Sequence, residues 1–189
     1  MRLGPAVMRV IAGTLKGRRL QAPDWPGLRP TSDKLRETLF NVIAARVPGA
    51  RLLDGYAGSG AVGIEALSRG AAHVTFVERD PRAARLVESN LEACGVADRY
   101  AIIRAGFAEA GRLLAGGVFD VIFLDPPYGE VELAAAIASA SPLVSDGTLL
   151  VIEHAKRDAA AERTETLVRT RELTSGDSAL AFYRTRFSF

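Results

Sequence analysis

The tetrapeptide Asp125-Pro126-Pro127-Tyr128 combines the residue types needed to orient an amino group on a nucleobase. Two consecutive prolines stop strand pairing and hold the backbone rigid with its carbonyl groups fixed. Asp125 and the Pro126 carbonyl can accept hydrogen bonds from the amino group, and the Tyr128 ring offers a face for base stacking worth about 1–3 kcal/mol. Because the lone pair of such a nitrogen is delocalised into the base, its orientation towards an electrophilic methyl group provides most of the acceleration. These four residues are the candidate catalytic residues.

The segment Asp54-Gly-Tyr-Ala-Gly-Ser-Gly-Ala-Val-Gly63 is typical of a loop that binds a cofactor through its backbone. Its last three glycines match the G-x-G-x-x-G dinucleotide pattern and permit a tight turn with close approach of a ligand. Asp54 would repel a diphosphate but attract an ammonium or sulfonium group, and S-adenosylmethionine carries both. The alternative role for Asp54 is to cap a turn or a helix.

Glu78 follows the next apolar run, 24 residues after Asp54. An acidic residue at such a place accepts hydrogen bonds from ribose hydroxyls. Nicotinamide-binding proteins use the same device, so Glu78 indicates an adenosine-containing cofactor without selecting one. Asp80 is instead predicted to cap the helix that begins at Pro81.

These segments follow apolar runs that alternate with amphipathic stretches. Strands are predicted at 51–54, 73–78, 100–104, 118–124 and 149–153, and helices near 61–69, 81–94, 108–115 and 131–139. The alternation predicts a Rossmann-like α/β fold with a doubly wound parallel sheet, in which ligands bind at the carboxyl ends of the strands. Residues 166–173 and 179–186 are predicted to close the sheet as a C-terminal antiparallel hairpin.

Residues 1–48 are predicted to form an extension on the α/β domain of residues 49–189, with a β-hairpin at 8–21 and a helix from 31–33 to about 47. Residues 1–36 carry eight basic and two acidic side chains, a net charge of +6, so the rest of the chain has a net charge of −4. A basic arm on a near-neutral body favours a polyanionic partner. The candidate RNA-binding residues are Arg9, Lys16, Arg18, Arg19, Arg29 and Lys34.

With 189 residues, of which 48% are hydrophobic and 24% charged, the chain has the composition of a soluble globular protein. It contains no long apolar run and no apolar segment of a secretory signal near its start, so we expect a cytoplasmic protein with no membrane partner. Cys94 is the single cysteine, and His73 lies far from His154. We therefore expect neither a disulfide framework nor a metal site. We also expect a monomer.

Together, these motifs resemble the class I S-adenosylmethionine-dependent methyltransferases that act on amino nitrogens of bases. Residues 29–41 (Arg-Pro-Thr-Ser-Asp-Lys-Leu-Arg-Glu-Thr-Leu-Phe-Asn) and 65–71 (Glu-Ala-Leu-Ser-Arg-Gly-Ala) further resemble the RsmD family, whose members methylate guanine N2 in bacterial small-subunit (16S) ribosomal RNA. The resemblance runs from about Met8 to the end of the chain. It implies a seven-stranded sheet, S-adenosylmethionine as the cofactor, and ribosomal RNA or a small-subunit assembly intermediate as the partner.

The resemblance also implies which residues hold the cofactor. The 29–41 segment would close over the methionine end of the cofactor through Thr31. The 104–108 stretch lacks the acidic residue that contacts adenine in many relatives, so Phe107 is expected to pack on adenine, with backbone atoms of Phe107 or Ala108 reading its edge. The predicted cofactor-binding residues are Thr31, Asp54, Tyr56, Ala57, Gly58, Ser59, Gly60, Glu78, Arg79, Phe107, Ala108 and Asp125.

Two other functions are compatible with parts of the pattern. An adenine-N6 methyltransferase acting on DNA or RNA would use the same Asp-Pro-Pro-Tyr chemistry, and the 29–41 segment and the small size of the chain favour the ribosomal enzyme over it. A nicotinamide-binding oxidoreductase would use the glycine loop. Asp54 and the 125–128 tetrapeptide argue against that third function.

Overall fold

The computed structural model describes residues 8–25 and 32–186, which form a seven-stranded mixed sheet, the helices packed on it and a separate two-stranded hairpin. In the hairpin, β1 (Met8–Arg9) pairs with β2 (Arg19–Leu20). The strands of the large sheet are β3 (Arg51–Gly55), β4 (His73–Val77), β5 (Tyr100–Ile103), β6 (Val121–Leu124), β7 (Leu149–Ala155), β8 (Leu167–Ser175) and β9 (Ser178–Thr185). The helices are α1 (Asp33–Val42), α2 (Ala61–Ser68), α3 (Pro81–Ala93), α4 (Phe107–Leu113) and α5 (Glu130–Ala140), with short 3-10 turns at Ala44–Arg46 and Ser141–Leu143.

The large sheet has the strand order β5-β4-β3-β6-β7-β9-β8. The strands from β3 to β7 are parallel, and β9 runs antiparallel to both β7 and β8. The chain builds one half of the sheet from β3 outwards to β5 and then returns to start the other half at β6, beside β3. In doubly wound sheets, ligands bind at this switch point, outside the carboxyl ends of the strands. The fold class and the closing hairpin predicted from the sequence are confirmed.

Alternate residues of the central strands pack into two hydrophobic clusters, one on each face of the sheet. On β6, Val121 and Phe123 belong to the cluster that includes residues of α1, α2 and α3, whereas Ile122 and Leu124 belong to the cluster that includes residues of α4 and α5. Both faces of the parallel strands are therefore covered, which explains why these strands are continuous apolar runs. Within the described ranges, no helix has the length and apolarity that a membrane span requires.

The N-terminal segment contributes to the same core as the sheet. Val10 and Leu20 of the hairpin and Leu35 of α1 are buried in the first of the two clusters. Among the described residues, the hairpin and α1 have no hydrophobic core separate from that of the sheet. The division of the chain between residues 48 and 49 stays a prediction.

Two predicted boundaries differ from the structure by three residues or more. The strand predicted at 118–124 begins at Val121, because Val118 is exposed and the Asp120 side chain accepts a hydrogen bond from the Arg51 amide. The first helix, predicted to reach about residue 47, ends at Val42, where Ile43 leaves the helical region (φ −96°, ψ 9°). The β-branched side chains of this Val-Ile pair disfavour continuation of the helix.

Candidate active site

The carboxyl ends of β3, β4 and β6 bring the three predicted chemical segments to one edge of the sheet. The register places Gly55 of β3 beside Val77 of β4 on one side and Leu124 of β6 on the other. Glu78 and Asp125 directly follow these two neighbours and so flank the start of the glycine loop. The Asp125 amide also donates to the Gly55 carbonyl at 3.4 Å. The fold thus joins the predicted cofactor and catalytic segments in one site.

Glu78 fixes the conformation of the glycine loop. One of its carboxylate oxygens accepts a hydrogen bond from the Gly58 amide (2.9 Å), and the other accepts from the Asp80 amide (2.8 Å). Gly58 and Gly60 have φ values of 58° and 77°, in the left-handed region that glycine adopts without steric cost. Each carboxylate oxygen retains a further lone pair, so these bonds leave Glu78 able to accept from ribose hydroxyls.

Asp54 is buried at the end of β3, and its Oδ2 accepts a hydrogen bond from the Gly63 amide at 2.9 Å in the first turn of α2. The capping role considered for Asp54 is therefore present. Burial raises the pKa of Asp54 to about 8; the bond from Gly63 opposes this shift, and the nearby Glu78 carboxylate adds to it. A bound cation would reverse the shift, because it favours the ionised carboxylate. The carboxylate of Asp54, as a buried acceptor, thus fits the ammonium group of S-adenosylmethionine.

Phe107 opens α4 and lies beneath the glycine loop. Its ring is only 4% exposed and stacks against Tyr56 with 5.3 Å between ring centroids. Gly55 permits this packing, since a Cβ there would lie 2.7 Å from Phe107 Cε2. The ring is therefore part of the core, and burial favours the backbone of Phe107 and Ala108 as the groups that face adenine. The adenine contact itself stays a prediction, as do contacts of the exposed Arg79 with the cofactor.

The 125–128 loop leaves β6 towards the C-terminal hairpin. Pro126 is buried, Pro127 is exposed and Tyr128 is 38% exposed. The Tyr128 hydroxyl forms a hydrogen bond with the Ser178 hydroxyl (2.9 Å) and a longer one, 3.5 Å, to Glu153 Oε1. The ring thus presents part of its surface to solvent while its hydroxyl contacts the body of the protein.

Sequence reasoning missed three residues that hold this loop: Glu153, Asp158 and Ser178. Asp158 accepts a hydrogen bond from the Gly129 amide at 3.0 Å. Glu153 could have been found, since it ends the predicted strand at 149–153 and the carboxyl ends of parallel strands share one edge. Asp158 and Ser178 lie in or beside turns and gave no such signal.

Those predicted RNA-binding residues that the structure describes lie on the hairpin and the first helix. Arg9, Lys16 and Lys34 line one groove of about 410 Å³ between the hairpin and α1, together with Asp33 and Glu37. Arg18 and Arg19 are exposed on the hairpin. Arg29 and Thr31 lie outside the described residues. The N-cap of α1 is Ser32, whose hydroxyl accepts from the Leu35 amide.

Polar side chains that the sequence analysis did not assign to the site hold the hairpin against α2 and α3. Glu65 is buried on α2 and accepts hydrogen bonds from the Ile11 amide (2.7 Å) and the Ala12 amide (3.0 Å). Asn90, buried on α3, accepts from the Gln21 amide at 2.7 Å and donates to the Gln21 carbonyl at 3.1 Å. Asn90 also donates to the carbonyl of Ser59 in the glycine loop at 2.9 Å. The Asn90 side chain therefore joins the basic hairpin to the glycine loop.

The fold and this strand-edge site define a class I S-adenosylmethionine-dependent methyltransferase. Among the residues that the structure describes, no group of three or more His, Cys, Asp or Glu side chains could hold a metal ion. The chain belongs to the family described as Conserved hypothetical protein 95, the RsmD family, which matches residues 8–184.

Known relatives span most of the chain. YlbH of Bacillus subtilis is 39% identical over 186 residues, which cover 95% of this chain and 100% of that protein. The Escherichia coli protein named ribosomal RNA small subunit methyltransferase D is 38% identical over 159 residues, 79% of this chain and 76% of that protein. The solved structure of yhhF from Escherichia coli has a TM-score of 0.79 and 32% identity, covering 95% of this chain and 98% of that one.

Proposed function

We propose that this protein transfers a methyl group from S-adenosylmethionine to the exocyclic N2 amino group of a guanine in small-subunit (16S) ribosomal RNA. The observation that carries the proposal is the position of the 125–128 loop, which leaves the sheet next to Asp54 and Glu78 at the switch point between β3 and β6. The name of the Escherichia coli relative supports ribosomal RNA as the substrate. Such a substrate places the reaction in the cytoplasm.

S-adenosylmethionine would supply an electrophilic methyl group on its sulfonium. In this chain, Asp54 would hold the ammonium end, Glu78 the ribose and the backbone of Gly58–Gly60 the intervening part. Thr31 and the predicted 29–41 closure belong to the same proposal. The rigid left-handed turn at Gly58 and Gly60 suits this task, since a preformed loop binds without a further loss of conformational entropy.

Asp125 and the Pro126 carbonyl would accept the two hydrogens of the guanine amino group and so direct its lone pair towards the methyl group. Positive charge develops on the nitrogen as its bond to the methyl carbon forms and the bond from that carbon to sulfur breaks, which leaves S-adenosylhomocysteine. The Asp125 carboxylate therefore stabilises the transition state more than the ground state, without acting as a strong base. The cationic nitrogen then loses one proton to the Asp125 carboxylate or to water. The face of Tyr128 would stack on the base and hold it in this orientation.

The basic hairpin and α1 would bind the RNA backbone. Arg9, Lys16 and Lys34 line the groove between these elements, and Arg18 and Arg19 lie exposed on the hairpin. The planar guanidinium group of arginine can donate two hydrogen bonds to one phosphate group. Because Asn90 joins this hairpin to the glycine loop, RNA held by the hairpin would have a fixed position relative to the cofactor.

The proposed reaction is tested by mapping methylated nucleosides in small-subunit RNA from cells that lack this protein. We expect N2-methylguanosine to be lost at one position and restored by the parent gene but not by an Asp125→Ala variant. Loss of N6-methyladenosine instead would assign the protein to the adenine-N6 enzymes. Unchanged ribosomal RNA would refute the proposed substrate.

A further inference from the structure

We propose that Ser178, assisted by Glu153, is a positioning residue that fixes the Tyr128 side chain, so that the C-terminal hairpin sets the orientation of the ring on which the base stacks. The inference rests on the proposed role of the 125–128 loop. It extends that role, because it assigns a task to the hydroxyl of Tyr128 and to β9.

The sheet topology explains how a residue near the end of the chain reaches the loop. Strand β9 is antiparallel to β7, so its first residue, Ser178, pairs with Ala155 at the carboxyl end of β7. That end lies at the same edge as the carboxyl end of β6, from which the 125–128 loop leaves. Ser178 thus comes within 2.9 Å of the Tyr128 hydroxyl although 50 residues separate them in the sequence.

A second interaction fixes the backbone that follows the ring. The Gly129 amide donates to Asp158 at 3.0 Å, and Asp158 is buried. Gly129 has a φ of 141°, which glycine adopts most easily, and it is the N-cap of α5. Tyr128 is therefore held by its hydroxyl at one end and by the adjoining main chain at the other.

A ring held in this way adopts its stacking orientation before the base arrives. Immobilising a free side chain on binding costs about 0.5–1.5 kcal/mol. Removal of the hydrogen bond between Tyr128 and Ser178 should therefore lower the single-turnover rate of methyl transfer about two- to twelvefold. The affinity for RNA should change less than twofold, because interactions with phosphates dominate it.

The test is a double-mutant cycle on the full chain with unmethylated small-subunit RNA. We expect Tyr128→Phe and Ser178→Ala each to show a reduced rate and the double variant to be no slower than Tyr128→Phe, because Tyr128→Phe already removes the hydrogen bond to Ser178 together with the longer one to Glu153. Ser178→Thr, which retains the hydroxyl, should keep most of the parent rate. Ser175→Ala is the matched control, since Ser175 lies directly opposite Ser178 in the hairpin.

Melting temperature, cofactor affinity and single-turnover rate together distinguish a positioning role of Ser178 from a role in folding and from the proposed function of the protein. Melting temperature and the calorimetric affinity for S-adenosylhomocysteine should be the same in Ser178→Ala as in the parent. A parent-like rate in Ser178→Ala, or rate reductions that multiply in the double variant, would overturn the positioning role while leaving the proposed function intact. A parent-like rate in Tyr128→Ala would instead overturn the stacking role and, with it, this inference.

Discussion

Binding of S-adenosylmethionine should be coupled to the release of a proton from Asp54. The pKa of this buried carboxyl is about 8, so only about a tenth of the free protein carries the ionised form at pH 7. The ammonium group of the cofactor favours the ionised form. Binding therefore requires the proton to leave, and the affinity should rise as the pH approaches 8.

The size of this effect follows from the ionised fraction. Between pH 6 and pH 7 the ionised fraction of a group with a pKa of about 8 rises about ninefold, which predicts a ninefold lower Kd, or about 1.3 kcal/mol. Close to one proton should be released for each ligand bound in this range. In the cofactor-free protein, pH has the opposite effect on the free energy of unfolding. Ionisation of a buried carboxyl is unfavourable, so the stability of the folded state should fall as the pH rises from about 4 to about 8.

The assay is calorimetry with S-adenosylhomocysteine, which keeps the ammonium group, at pH 6.5 in two buffers of different ionisation enthalpy. Asp54→Asn should release no proton and show the same Kd at pH 6 and pH 7. Asp80→Asn is the matched control, because a side-chain hydrogen bond from Arg82 lowers the pKa of Asp80 to about 2 and this carboxylate stays ionised throughout. A parent protein that releases no proton, or an Asp54→Asn variant that still does, would refute the assignment of Asp54.

Three further outcomes are expected. Asp125→Asn, which keeps an acceptor oxygen, should retain more single-turnover activity than Asp125→Ala, and equal activities would show that the acceptor does not contribute. Replacing Lys16, Arg18 and Arg19 together should reduce the dependence of RNA affinity on salt, by about 0.7–0.9 in the slope of log K for each phosphate that the variant no longer binds, while cofactor affinity stays the same; an unchanged slope would place the RNA surface elsewhere. Asn90→Ala should lower the unfolding free energy by about 1–3 kcal/mol and weaken S-adenosylhomocysteine binding several-fold, since the buried Ser59 carbonyl and the Gln21 backbone groups would lose the Asn90 side chain as a partner. Glu92→Ala, at an exposed position of the same helix and measured by the same denaturation and calorimetry, should change neither quantity.

Much of the fold and the centre of the site could be predicted because both depend on local sequence. Continuous apolar runs such as that of β6 identify buried parallel strands, and Asp80, Pro81 and Gly95 delimit α3 through local capping. The residue that follows each strand is then placed by topology alone, since parallel strands end at one edge. Asp54, Glu78 and Asp125 meet in the structure for this reason.

The tertiary structure alone decided which side chains hold that site in place. Glu65 bonds to amides 53 and 54 positions away, Asn90 bonds to Gln21 across 69 positions, and Ser178 reaches Tyr128 across 50. Such pairs leave no periodic signal in the sequence, because their partners are backbone groups or a single hydroxyl on distant elements. The sequence therefore predicted a stacking role for the Tyr128 ring, from its position after two prolines, and only the packing of β9 against β7 gave its hydroxyl a partner.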